Sequence, residues 1–147
     1  MTDEEFLRAL EDCTLGQSEF GHRAHVRAGY LYLKQYGFAK ALERLRQSIC
    51  AYATYHGKTN RYHETITVAY LALIHQCMFE RGDGGDWMTF AQANPPLLNS
   101  ELLGHYYDRD VLESEAARRV FLLPGSNLGG ESSTSESGRI AMSRGGG

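Results

Sequence analysis

A single glycine, Gly37, separates two long segments of helical periodicity, and that spacing constrains the fold more than any other feature of the chain. Residues 18–36 and 38–56 both repeat apolar side chains three and four positions apart, the signature of an amphipathic helix. A one-residue connection makes two such helices antiparallel neighbours. Gly57 ends the second segment, and about four residues lead into a third, 61–81, which Gly82, Gly84 and Gly85 end. These three helices run up, down and up. Thr2 followed by Glu5 is a capping box opening a helix over 2–13. Asp86 caps a short helix over 87–94, halted by Pro95-Pro96, and a last helix covers 110–121 before Pro124. No stretch alternates apolar and polar residues long enough to make a sheet. The pattern predicts an all-α fold, an up-down antiparallel helical bundle of about six helices.

The chain has 147 residues, enough for one domain with a real core. That domain is expected over 1–125. Residues 126–147 are dominated by Gly and Ser and read as a disordered tail, because such a segment cannot bury enough apolar surface to offset its ordering entropy. A net charge of −3 argues against nucleic acid as a partner. No apolar run approaches the ~20 residues of a membrane span, and the acidic start, MTDEEFLRALED, is unlike a secretory signal. Cys13, Cys50 and Cys77 are odd in number and widely spaced, which fits reduced thiols and a cytoplasmic setting.

Chemistry concentrates in the histidines. His22 and His25 belong to the apolar stripe of the 18–36 helix, together with Val26, Gly29, Tyr32, Leu33 and Tyr36, within an arc of about 120°. His56 ends the second helix on its apolar stripe, and His63 begins the third. In the up-down-up order all four fall at one end of the bundle, whereas His75 and His105 do not. A lone core histidine is ordinarily a hydrogen-bonded structural residue. Several together each need partners for two nitrogens, and a shared cation supplies them. The expectation is therefore a divalent-metal site with His22, His25 and His63 as ligands and His56, Tyr62 and Thr67 as additional candidates. Zinc or iron suits these ligands best, and nickel or copper also accepts imidazole.

The string His63-Glu64-Thr65-Ile66-Thr67 carries Thr67 where the metalloprotease motif H-E-x-x-H has its second histidine. Glu64 is the candidate catalytic residue, a general base on metal-bound water, set against a plain first-turn glutamate favoured by the helix dipole. Such a site would serve a metal-dependent enzyme acting on a small molecule, hydrolytic or oxidative. Gly57-Lys58-Thr59 looks like the end of a phosphate-binding loop but lacks the upstream glycine and strand.

Phe20-Gly21-His22-Arg23-Ala24-His25-Val26-Arg27 and Tyr62-His63-Glu64-Thr65-Ile66-Thr67 resemble the paired F-x-H-x-x-H-x-R and Y-H-E-T-I-T signatures of a family of small uncharacterised bacterial all-helical proteins. The resemblance extends over roughly residues 15–124 and implies a bacterial setting. The histidine arrangement is also similar in concept to DinB-like bundles, in which three histidines hold a divalent metal, although those proteins place an H-x-x-x-H pair late in the chain. A different class of function competes with the metal site. The 28–55 hairpin, with Gly37 at its turn, is loosely like a tetratricopeptide unit, and a non-catalytic module binding a protein partner is the alternative.

Overall fold

The computed structural model describes residues 1–126, and these contain seven α-helices and no strand. The segment expected as a tail lies, from residue 127 on, outside the described residues. The first helix, α1 (Asp3–Glu11), opens with the capping box read from the sequence. The Thr2 hydroxyl accepts the Glu5 N–H at 3.0 Å, and the Glu5 carboxylate accepts the Thr2 N–H at 2.7 Å. It buries Phe6, Leu7 and Leu10.

The bundle centre is α2 (His22–Gln35), α3 (Phe38–Tyr55) and α4 (Glu64–Arg81), which pack on one another. Gly29 sets the approach of α2 to α4. A Cβ there would stand 3.0 Å from Ile74 Cδ1 and 3.2 Å from Leu71 Cδ1, closer than ordinary van der Waals contact. Arg27 ties α1 to α2: its guanidinium meets Asp3 Oδ1 at 2.6 Å and lies over the Phe6 ring. On its other flank α4 meets the C-terminal part of the chain, where Tyr70, Leu103 and Tyr107 form a second small core.

Three helix boundaries differ from the periodic reading, each for a local reason. The second helix begins at His22 instead of 18, because Gln17–Glu19 closes a 3-10 turn in which the Glu19 carboxylate accepts the Gly16 N–H, and Gly21 is extended. The helix expected from residue 61 begins at Glu64. His63 caps it with Nδ1, which accepts the Ile66 N–H at 3.1 Å. The last expected helix is two, α6 (Arg109–Leu112) and α7 (Glu115–Arg119), preceded by α5 (Trp87–Ala93). Ser114 makes the break: its hydroxyl donates to the Val111 carbonyl and accepts the Ala117 N–H, ending one helix and capping the next.

Between α5 and α6 the chain turns through two 3-10 segments, Pro95–Leu98 and Leu102–His105. Asn94 anchors the first of them. Its buried amide donates to the Phe90 carbonyl and accepts from Arg81 Nη1, both at 2.9 Å. This irregular stretch lies across the end of the bundle where α2 and α4 begin.

Candidate functional site

Under that cover is a cavity of about 970 Å³. The first turns of α2 and α4 supply His22, His25, His63 and Thr67 to its wall, and α3 supplies Leu45 and Ile49. The irregular stretch closes the far side with Leu103, Gly104 and Tyr107. A smaller cavity of about 220 Å³ adjoins it, and the two share Phe20, His25, Ile49 and Arg61. His56 lines the smaller one. Neither wall includes His75, which packs on Phe38, or His105.

The hydrogen bonds assign a tautomer to each ring. A backbone carbonyl only accepts, so a ring nitrogen bonded to one carries the proton. His22 Nε2 donates to the Leu97 carbonyl at 2.9 Å, and His25 Nδ1 donates to the Gly21 carbonyl at 2.8 Å. In the neutral rings this leaves a lone pair on His22 Nδ1 and one on His25 Nε2. Neither atom has a hydrogen-bond partner among the described residues, and neither is sealed from solvent. Burial first, and then the neighbouring His22, pushes His25 below its ordinary pKa of 6.5 against the opposing pull of the Gly21 carbonyl, so His25 is neutral at pH 7.

His63 is different. Its Nδ1 accepts the Ile66 N–H, so Nε2 carries the proton and donates to the Leu112 carbonyl at 2.7 Å. Both nitrogens are engaged, and a metal on His63 would have to displace one of these bonds. Among the described residues no group of three or more His, Cys, Asp or Glu side chains is placed to hold a metal ion. His56 stands at the C-terminal end of α3 between the Tyr52 and Tyr55 rings, with its Nε2 buried and unpartnered.

Glu64 does not line either cavity. Arg46 of α3 grips it in a two-toothed ion pair, Nη2 to Oε2 at 2.7 Å and Nε to Oε1 at 3.1 Å, and the Tyr62 hydroxyl donates to Oε1 at 2.6 Å. Burial alone would raise its pKa, but the Arg46 and Tyr62 hydrogen bonds and the Arg46 charge outweigh that and hold it below 4.5. A carboxylate so stabilised is a poor proton acceptor. Tyr62 is pushed up to about 12, first by burial and then by its bond to Glu64. The geometry therefore gives the Tyr62–Thr67 string a structural part. Glu64, backed by the Tyr62 hydroxyl, binds α3, His63 and Thr65 bind the C-terminal segment, and the Thr67 hydroxyl donates back to the His63 carbonyl.

Glu64→Gln is accordingly expected to lower stability by about 1 kcal/mol, the scale of a charge-assisted bond discounted for the half-exposed Arg46. Because the folded pKa is depressed, the carboxylate's contribution is complete above pH 4.5 and is lost as pH falls. The variant should therefore show a flatter acid limb in urea titrations between about pH 5 and pH 2. An unchanged acid limb would contradict the clasp.

The residues that sequence reasoning missed are those of the cavity's far wall. Leu103, Gly104 and Tyr107 lie in a stretch without periodicity, and the signal at Pro95-Pro96 marks only where a helix stops. No known family model, curated protein or solved structure matches the chain.

Proposed function

We propose that this protein binds a small, largely apolar molecule in the 970 Å³ cavity, with His22 and His25 as the polar groups that orient it. The observation that carries this reading is the pair of uncommitted ring nitrogens beside a wall of Val26, Leu45, Ile49, Leu71 and Ile74. The volume is at the upper end of the ~300–1,000 Å³ of small-molecule sites, and a mostly apolar wall with a few placed polar groups is their usual make-up. Each free nitrogen accepts, so the ligand group facing it is an O–H, an N–H or a cation.

A second reading rests on one specific feature. Histidines that ligate metals characteristically donate their other N–H to a carbonyl or carboxylate, which sets the tautomer and raises ligand basicity. His22 and His25 are both backed in this way, three residues apart on one helix. A divalent zinc or iron ion on these two rings, completed by the bound molecule or water, is the metal-dependent version of the same site.

Gly104 offers the test. Its Cβ position meets nothing within 4 Å, and the residue lines the cavity. Gly104→Trp should place a bulky ring at the cavity wall and weaken 1-octanol, titrated as an apolar probe and followed by NMR, by about tenfold or more, with the melting temperature little changed. Absence of saturable octanol binding by the native chain, or equal binding by the variant, overturns the pocket. Stoichiometric zinc uptake that His22→Ala and His25→Ala abolish and His63→Ala leaves intact supports the metal version; no uptake removes it.

A further inference from the structure

The smaller cavity is basic, and this has a consequence for the ligand. Its wall includes Lys58, Arg61, His25, His56 and Gln17, and no carboxylate. Such one-sided lining is unexpected in a chain of net charge −3. Glu19, on the adjacent 3-10 turn, is turned toward the Gly16 N–H and does not line it. Neither Lys58 nor Arg61 has an ion-pair partner among the described residues, whereas Arg46, Arg109 and Arg118 are all paired with glutamates. His56 Nε2 is the only buried side-chain polar atom among them left without a hydrogen bond. An unmet buried polar atom is costly, so a group that engages it is favoured.

Resting on the pocket reading above, we infer that the smaller cavity receives the acid group of an amphipathic ligand whose apolar body fills the larger one. The acid is a carboxylate or a phosphate monoester. The two compartments adjoin along the shared wall of Phe20, His25, Ile49 and Arg61. Arg61 stands where the two meet, and its planar guanidinium suits the paired oxygens of either acid. Lys58 follows Gly57, whose φ of +73° turns the chain at the end of α3. That turn returns the Lys58 N–H to the Ala53 carbonyl at 2.7 Å and leaves Lys58 on the cavity wall. Of the other carbonyls at this helix end, which would repel an anion, Tyr52 is claimed by the His56 N–H and Thr54 by the Gly57 N–H.

Calorimetric titration of octanoate, octyl phosphate and 1-octanol into the full chain tests this. At least one acid should bind about tenfold or more tightly than the alcohol of equal chain length. Which acid shows the preference identifies the head group, and both doing so makes anionic charge alone the criterion. Lys58→Ala, at an exposed position outside the larger cavity's wall, should weaken the preference about threefold or more and leave octanol affinity within about twofold, with an unchanged melting curve, and adding Arg61→Ala should abolish the preference. Equal binding of acids and alcohol by the native chain, or a preference that survives in the double variant, overturns the acid subsite alone. Failure of all three probes to bind overturns the pocket itself.

Discussion

Leu71→Ala is expected to lower the unfolding free energy by about 3 kcal/mol, within the range measured for buried leucines. Leu71 is fully buried on α4, and its Cδ1 abuts the bare backbone of Gly29 on α2. The surroundings cannot collapse into the void, which keeps the cost from falling below this. Gly29 has no side chain to move, and the cavity on the other side already leaves the wall without backing. For a domain of this size such a loss lowers the melting temperature by about 10 °C. Gly29→Ala added to Leu71→Ala should recover about 1 kcal/mol. The new methyl occupies space that Leu71 Cδ1 vacates, and alanine favours the helix by nearly that amount over glycine. Non-additivity in this cycle, read by urea denaturation, measures the α2–α4 contact directly. Strict additivity would show that the two positions do not touch.

Thr65→Val is expected to cost about 2 kcal/mol although it keeps the β-branched shape. The Thr65 hydroxyl is wholly buried in the first turn of α4. It donates to the Val120 carbonyl at 2.8 Å and accepts the Leu122 N–H at 3.1 Å. Valine removes both bonds and places a methyl against two backbone polar groups. The Tyr107 hydroxyl also donates to the Leu122 carbonyl at 2.8 Å, so the segment after α7 is held at two points and the substitution releases one. Amide exchange of Leu122 should therefore accelerate more than that of the α2–α3 core, a local opening in addition to the global loss. Uniform acceleration across the chain would show that the residue contributes only to global stability.

The Tyr62–Thr67 string shows where reading from sequence succeeds and where it stops. Glu64 next to a histidine, in the first turn of a helix, is compatible with a general base, a ligand and a structural anchor alike. The choice depends on Arg46, eighteen positions earlier, and on the Tyr62 hydroxyl, which together occupy the carboxylate. His63 likewise has the composition of a ligand, but its second nitrogen meets a carbonyl 49 residues away. Its N-cap role was open to detection, since an acceptor three residues before an unclaimed N–H is a cap signature. His22 and His25 share a helical face by spacing alone, and the structure keeps them on the wall of one cavity.

The helices, their order and their antiparallel packing follow from interactions that act within four or five residues: apolar repeats, capping side chains, glycine stops and a one-residue turn at Gly37. Those forces depend only on neighbours along the chain, so the pattern of residues carries them in full. The boundaries at His22, Glu64 and Ser114 lie at the edge of that rule, because there a side chain competes with the helix for the same backbone groups. The cavity belongs to another scale. Its far wall comes from a stretch without periodicity, held by the bond from His22 to Leu97 across 75 residues and from Thr65 to Val120 across 55. Which polar groups meet at such distances is settled by closing the whole chain around one core, where every buried donor and acceptor must find a partner at once. The free lone pairs of His22 and His25, and the unpartnered nitrogen of His56, are what remains after that matching.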